Sequence, residues 1–392
     1  MFHIVAKDYL NGVLQENTAF SLGQTIGTVD VKAANTQGEY NIPVTSANLS
    51  DYLTVEAETS EKVFVEIADK VLRVATFAAE LSYADETGTK VVKSIRELSD
   101  AITEINNLKV KRDYTITLYE DCAVSAALTM PNKDCVASLT VIGAGIEGNA
   151  KISSNGKLTL TSDTVFENIT FEGTTAYTVA IGDYNLTIGK KVSFPSKVSF
   201  TSGKKGTLVV TENGQLTDVT TLKVTNFTNK GKVFTDKVTV TTADLDDGYL
   251  YANQTIQITN LTLDGKAVVR AEKDFKITGT LYSKTNEAVL YSRQNTKKVP
   301  YLNISGSVTL DTPEDKIQVG VYAESAGDEL TKLESGTMLL SVKTATVEMF
   351  VPVADNVDSV GTYPAENGYF LQKNKTGIYV YYAGDVTVSL YK

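Results

Sequence analysis

Short runs of an apolar, a polar and an apolar residue recur along the chain after residue 138. Successive runs begin 14 to 28 residues apart, with a mean of about 20. Alternation of this kind is typical of β-strands, and a repeat of this length is typical of solenoids, in which one repeat cannot bury its apolar face alone. The nine runs are Leu139-Thr140-Val141, Leu158-Thr159-Leu160, Leu186-Thr187-Ile188, Leu208-Val209-Val210, Leu222-Lys223-Val224, Val238-Thr239-Val240, Ile256-Gln257-Ile258, Phe275-Lys276-Ile277 and Leu302-Asn303-Ile304.

The segments between these runs narrow the fold class. Glycine turns such as Asn155-Gly156, Asn213-Gly214 and Asp264-Gly265 separate the runs. No stretch with helical periodicity lies between them, which disfavours leucine-rich, βαβ and Rossmann architectures. We therefore predict an all-β fold, a right-handed parallel β-helix in which each circuit makes short strands and tight corners. A string of antiparallel β-sandwiches is the alternative, because Asn-Gly turns also mark hairpins.

One amphipathic helix is predicted ahead of the repeats, over residues 94–108. Ser94 and Glu97 have the spacing of a capping box, in which the serine oxygen accepts a hydrogen bond from the Glu97 amide and the carboxylate reaches back. Apolar residues at helical spacing then follow on one face. They are Ile95, Leu98, Ile102, Ile105 and Leu108.

Three parts are predicted along the chain. Residues 1–84 form a small β module that precedes the repeats, and a polar, glycine-containing stretch marks its end. The parallel β-helix with its capping helix occupies residues 91–311. Residues 312–392 form terminal coils or a C-terminal β cap, with a distinct small module as the alternative.

The run from Ser94 through Gly143 resembles the entrance of pectin-lyase-like β-helix domains in large bacterial cell-surface proteins. It joins the amphipathic helix to the strands Asp113–Leu118 and Leu139–Gly143, and Phe166–Gly173 is similar to a typical rung of that family. The resemblance covers roughly residues 91–310. It implies that the helix caps the open first coil and protects its backbone edge.

Composition and charge exclude several classes of partner. The chain has 392 residues, with 37 Lys and Arg against 47 Asp and Glu, and a net charge of -10. A nucleic-acid binder needs a concentrated basic face, so we predict no nucleic-acid partner. No stretch approaches the roughly 18 apolar residues of a membrane span, and residues 1–8 lack the apolar core of a signal peptide. We expect a piece of a larger extracellular or cell-surface protein over a cytosolic one, because strand-forming Thr, Val, Asn and Tyr are abundant.

Few residues are candidates for catalysis. His3 is the sole histidine, which disfavours zinc sites and histidine-dependent triads. Arg270 and Arg293 are the arginines that a lyase of this fold would use as a base, but neither lies in an Asp-rich context. Gly143–Gly148 has the G-x-G-x-x-G spacing but precedes a strand-like segment, and Asp244–Gly248 is acidic without the spacing of a calcium loop. We therefore assign no catalytic, cofactor-binding or metal-ligating residue.

Two residue types leave alternatives open. Cys122 and Cys135 are either small buried hydrophobic residues or a disulfide across a short loop. Tyrosines of the later repeats are either ordinary residues of half-exposed strands or groups that stack on sugars and anchor a protein partner. These tyrosines are Tyr249, Tyr251, Tyr282, Tyr291, Tyr301 and Tyr322.

The sequence favours binding or scaffolding over catalysis. We predict a non-enzymatic adhesin or rigid stalk whose ligand is a glycan or a host protein. Neutral glycans are preferred, because the negative charge disfavours anionic polymers such as pectate. The alternative is a polysaccharide lyase or glycoside hydrolase on the same fold, since stacked rungs bring carboxylates to the separation that glycoside hydrolysis needs.

Overall fold

The computed structural model describes most of the chain after residue 77 and six strands before it. The described residues are 2–6, 25–29, 39–43, 53–57, 63–68, 71–76, 78–322, 334–353 and 369–382, apart from 96, 125–126, 146–147, 174–175, 296 and 298.

The six N-terminal strands form two small antiparallel sheets. In the first sheet the central strand is the first of the chain, and in the second it is the sixth. The strands are β1 (Phe2–Ala6), β2 (Thr25–Val29), β3 (Glu39–Pro43), β4 (Leu53–Ala57), β5 (Val63–Ala68) and β6 (Val71–Thr76).

The rest of the described chain is mostly strand. One helix, α1 (Leu98–Leu108), and a short 3-10 helix (Val347–Met349) interrupt it. The first group of strands is β7 (Ala79–Ala84), β8 (Lys90–Ile95), β9 (Arg112–Leu118), β10 (Cys122–Ala123), β11 (Leu128–Thr129), β12 (Val136–Gly143), β13 (Ala150–Ser153), β14 (Lys157–Thr159), β15 (Thr164–Glu167), β16 (Ile169–Glu172), β17 (Thr178–Gly182), β18 (Asn185–Ile188), β19 (Val198–Ser202) and β20 (Thr207–Val210). The second group is β21 (Gln215–Asn229), β22 (Lys232–Asp246), β23 (Tyr249–Asp264), β24 (Val268–Ala271), β25 (Phe275–Ile277), β26 (Thr280–Ser283), β27 (Val289–Arg293), β28 (Leu302–Ile304), β29 (Ser307–Leu310), β30 (Ile317–Tyr322), β31 (Thr337–Val342), β32 (Phe350–Val353), β33 (Tyr369–Lys373) and β34 (Ile378–Tyr382).

Parallel pairing joins the strands after α1 into three ladders. Ladder A runs from β9 through β12, β15, β18 and β20. Ladder B runs from β11 through β14, β17 and β19, and ladder C joins β10, β13 and β16. The long strands β21, β22 and β23 pass through ladders C, B and A in turn. Beyond them, ladder A continues with β26 and β29, ladder B with β25, β28 and β31, and ladder C with β24, β27, β30 and β32.

The chain visits ladders A, C and B in a constant order. Successive partners on ladder A are 16 residues apart at the closest, from Asn229 to Leu245, and 27 at the widest, from Ser283 to Leu310. The all-β class and the repeat near 20 residues are therefore confirmed. The β-sandwich alternative is wrong for this part of the chain, because every strand pairing described from β9 to β29 is parallel.

The predicted apolar runs supply the core. Both apolar residues of all nine runs are at most 4% exposed, since side chains on a strand alternate between its two faces. Burying one Leu, Ile or Val side chain contributes about 1.5–3 kcal/mol to stability. Aromatic rings fill the remaining interior, as where Phe166 meets Phe171 edge to face at 5.0 Å between centroids.

The start of the helix differs from the prediction. Ser94 lies in β8, where it pairs with Glu80 of β7, so the predicted capping box and the range 94–108 are wrong. The helix begins at Leu98 after Glu97, whose side chain makes no capping hydrogen bond. The β7 pairing satisfies backbone groups around Ser94, which a helix would otherwise use. Leu98, Ala101 and Ile105 are nevertheless buried on the inner face of the helix.

A hairpin adds to the first strand of ladder A. Strand β7 pairs antiparallel with both β8 and β9, with Leu81 opposite Ile116. The backbone edge of β9 is thus paired by a strand, whereas the family resemblance implied that the helix protects it. This pairing begins at Ala79, within the predicted module 1–84. The division into 1–84, 91–311 and 312–392 stays a prediction.

Beyond residue 312 parallel pairing gives way to antiparallel pairing. Strands β30 and β32 extend ladder C in parallel, and β31 extends ladder B. Strand β34 then pairs antiparallel with β31 and β33.

Candidate ligand-binding face

Aromatic side chains line the outer face of ladder C. The in-register partners Phe234, Tyr251, Arg270 and Tyr291 occupy four successive rungs. The ring centroids of Phe234 and Tyr251 are 6.1 Å apart. We call the set of five half-buried or buried rings on this face the aromatic strip: Phe234, Tyr249, Tyr251, Tyr291 and Tyr322. Parallel pairing produces the strip, because equivalent side chains of adjacent rungs point the same way.

Arg270 lies within this strip and holds its rings. Its guanidinium carbon is 5.4 Å from the ring centroid of Tyr251 and 4.1 Å from that of Tyr322. Both distances are within the range of cation–π attraction. Tyr322 is also 5.3 Å from Tyr291 between centroids. Burial raises the pKa of Tyr291, and the nearby Arg270 charge opposes part of that rise.

One carboxylate joins the two arginines that the sequence singled out. The Nε of Arg270 donates a 2.8 Å hydrogen bond to Oε1 of Glu272, and Arg293 contacts Oε2 of the same group. The Glu272 side chain is 9% exposed, and those of Arg270 and Arg293 are 11% and 18% exposed. Charge-assisted hydrogen bonds at this depth fix the side chains in place.

A groove of about 420 Å³ opens beside the strip, at the corner between ladders C and B. We call it the aromatic groove. Phe234 and Tyr251 supply its apolar wall, and Asn253 donates a 3.3 Å hydrogen bond to Oδ1 of Asp236 at its rim. Asp218 and Lys197 also line it. Aromatic faces beside carboxylate and amide groups suit a sugar, whose C–H faces pack on rings and whose hydroxyls donate to acceptors.

The structure brings together only some of the predicted tyrosines. Tyr249, Tyr251, Tyr291 and Tyr322 share the aromatic strip. Tyr282 lies on ladder A, where it bonds to Asp311, and Tyr301 lies between ladders. Sequence reasoning missed Phe234 and Glu272. The signal for the former was its separation from Tyr251 and Arg270, which is close to the repeat length.

The remaining candidates have structural positions. Gly143 ends β12, and a side chain there would overlap the carbonyl oxygen of Asn168, so the glycine pattern forms a tight corner before β13. Asp246 pairs with Lys230 at 2.6 Å, and Asp247 accepts a 2.7 Å hydrogen bond from the Lys266 amide. These contacts account for the acidic turn at 244–248.

The two cysteines are unpaired. Cys122 and Cys135 are 6% and 8% exposed, which confirms small buried hydrophobic residues and contradicts the disulfide. Burial raises the pKa of the Cys122 thiol to about 11. His3, the sole histidine, lies in β1.

Searches of the described part of the chain find neither a metal centre nor a membrane helix. No group of three or more His, Cys, Asp or Glu side chains is placed to hold a metal ion there. Within the same residues, no helix has the length and apolar character of a membrane span.

Comparison with known proteins finds no match for this chain among family models, curated proteins or solved structures.

Proposed function

We propose that the three ladders close into a right-handed parallel β-helix, with α1 covering its first coil. The constant order of ladders A, C and B supports closure, because a solenoid returns to each side once per turn. Burial of Leu98, Ala101 and Ile105 supports a capping role for the helix. The likeness to pectin-lyase-like domains of bacterial cell-surface proteins belongs to this proposal.

The function we propose is non-enzymatic binding of a neutral glycan through the aromatic groove. The carrying observation is the pair Phe234 and Tyr251, which meet at 6.1 Å and wall a groove with Asp236 and Asn253 on its rim. A neutral sugar packs its apolar face on the rings while its hydroxyls reach the polar rim. The carboxylates of Asp218 and Asp236 repel an anionic sugar at the same place.

Binding without turnover is favoured by the state of the two arginines. A lyase base must accept a proton, but Arg270 and Arg293 both contact the Glu272 carboxylate. An adjacent carboxylate stabilises the charged form of guanidinium, which has no lone pair to offer. This arrangement supports an adhesin over the lyase or hydrolase.

The setting we propose is the cell surface or the extracellular space, as part of a larger protein. A stack of rungs in which each rung contacts its neighbours is suited to hold a binding face away from a surface. A rigid stalk that binds nothing, and an adhesin for a host protein, are the other outcomes of the test below.

The test is a screen of neutral oligosaccharides, followed by calorimetry on those that bind. We expect Tyr251→Ala to weaken binding at least tenfold, since a buried aromatic contact contributes about 1–3 kcal/mol. Tyr282→Ala is the matched control, because it removes the same ring from ladder A, and it should leave affinity unchanged. Incubation with each bound glycan, and with polygalacturonate with and without calcium, should release no unsaturated product or reducing end.

Two outcomes contradict the proposal. Sustained turnover that is lost in Arg270→Ala or Arg293→Ala would establish a lyase. Absence of any glycan binding, or equal affinity in Tyr251→Ala and the native protein, would remove the aromatic groove from the function.

A further inference from the structure

A second groove of about 430 Å³ runs along the opposite corner of the stack, between ladders B and A. We call it the threonine groove. Its lining is hydrophilic at the rim, over a floor of buried aliphatic residues that belong to the core. The residues that define its chemistry are Lys223, Thr239, Thr241, Gln257, Thr259 and Lys276.

Four of these residues form a single row along the axis. Lys223 pairs in register with Thr239, Thr239 with Gln257, and Gln257 with Lys276. Adjacent rungs are about 4.8 Å apart, so the two lysines stand about 14 Å apart at the Cα atoms. Uncharged hydrogen-bonding groups occupy the rungs between them.

The charge of this groove is opposite to that of the aromatic groove. Two lysines and no carboxylate are among its lining residues. Lys223 is exposed and forms no ion pair with any described residue, and Lys276 lies 3.7 Å from the exposed Asp274. Within a chain of net charge -10, this is a local site for negative charge, because salt screens distant charges beyond about 8 Å.

We infer that the threonine groove binds a linear heteropolysaccharide in which single acidic sugars are separated by neutral ones. The inference rests on the proposed function, that the protein binds glycans, and adds a second site with a different preference. Acidic groups meet Lys223 and Lys276, while hydroxyls of the intervening sugars meet Thr239 and Gln257. Linked pyranose units repeat at a distance similar to the rung spacing, so a chain lying along the axis keeps its contacts in step.

Two other polyanions fit the groove less well. A polyuronate places a carboxylate on every sugar, and those beside Thr239 and Gln257 would find no cation while the acidic chain repels them. Single-stranded nucleic acid is held by stacking on aromatic rings, and the lining residues include none.

The test uses gellan fragments, whose repeat carries one uronate among neutral sugars, and the same fragments after reduction of the carboxyl group. We expect the native protein to bind the acidic form about tenfold more tightly than the reduced form. Lys223→Gln and Lys276→Gln should each lower affinity for the acidic form about three- to fivefold and leave the reduced form unaffected. Lys237→Gln, which removes an exposed lysine of β22 outside the groove, is the matched control and should change nothing.

The failures of the two proposals are distinguishable. Equal affinity for acidic and reduced fragments, unchanged binding in both lysine variants, or tighter binding of polygalacturonate or an oligodeoxynucleotide would overturn the inference. None of these results affects neutral-glycan binding that is lost in Tyr251→Ala. Conversely, Tyr251→Ala should bind acidic gellan fragments as the native protein does.

Discussion

The Glu272 cluster gives the sharpest prediction for stability. Glu272→Gln keeps the shape of the side chain but removes the negative charge that Arg270 and Arg293 share. Since these side chains are only 9% to 18% exposed, solvent screens the two remaining positive charges poorly. Removing one partner of a buried ion pair costs about 3–5 kcal/mol. For a chain of this size the Tm should fall by about 6–10 °C.

The assay is urea unfolding followed by circular dichroism and by tyrosine emission, which no tryptophan obscures in this chain. Asp246→Asn is the matched control, because Lys230 and Asp246 form an ion pair of similar length whose side chains are 51% and 38% exposed. A surface pair contributes less than about 1 kcal/mol. Equal destabilisation in the two variants would refute the reasoning, since it would show that burial does not strengthen the Glu272 cluster.

Three further predictions concern the remainder of the fold. Leu98→Asp should destabilise the protein by several kcal/mol, because it buries an unpaired charge under α1; an unchanged Tm would show that the helix does not cover the core. Gly143→Ala should cost about 1–3 kcal/mol through overlap with Asn168, measured by the urea midpoint, and a neutral result would contradict the tight corner. Native Cys122 ionises near pH 11 instead of 9.0, so the thiol favours folding below pH 9 and this contribution is lost as pH rises to about 11. Stability should therefore fall more steeply over that range in the native protein than in Cys122→Ala, and parallel curves would disprove it.

The inward face of the fold can be predicted from the sequence. Alternation in runs such as Ile256-Gln257-Ile258 depends only on neighbouring residues, and both isoleucines are at most 1% exposed. The helix start cannot be predicted in the same way. Ser94 and Glu97 satisfy a local capping pattern, but pairing of Ser94 with Glu80 is a tertiary contact that overrides it.

The candidate site was harder to predict, because it depends on which outward residues share a ladder. Partners on ladder A are separated by 16 residues in one turn and 27 in another, so register cannot be counted from a mean repeat. Tyr251 and Tyr282 look equivalent in sequence, yet one lies on ladder C and the other on ladder A. Glu272 gave no signal, since its partner Arg293 lies a full turn later.

The most direct test of glycan binding at the aromatic groove is a spectrum of the protein with ring-labelled tyrosine, recorded as a neutral oligosaccharide from the screen is added. We expect the signals of Tyr249 and Tyr251 to shift in proportion to occupancy. Signals of the fully buried Tyr114 and of Tyr282 on ladder A should stay in place. Binding that shifts Tyr282, or that leaves Tyr251 unmoved, would contradict the proposed function.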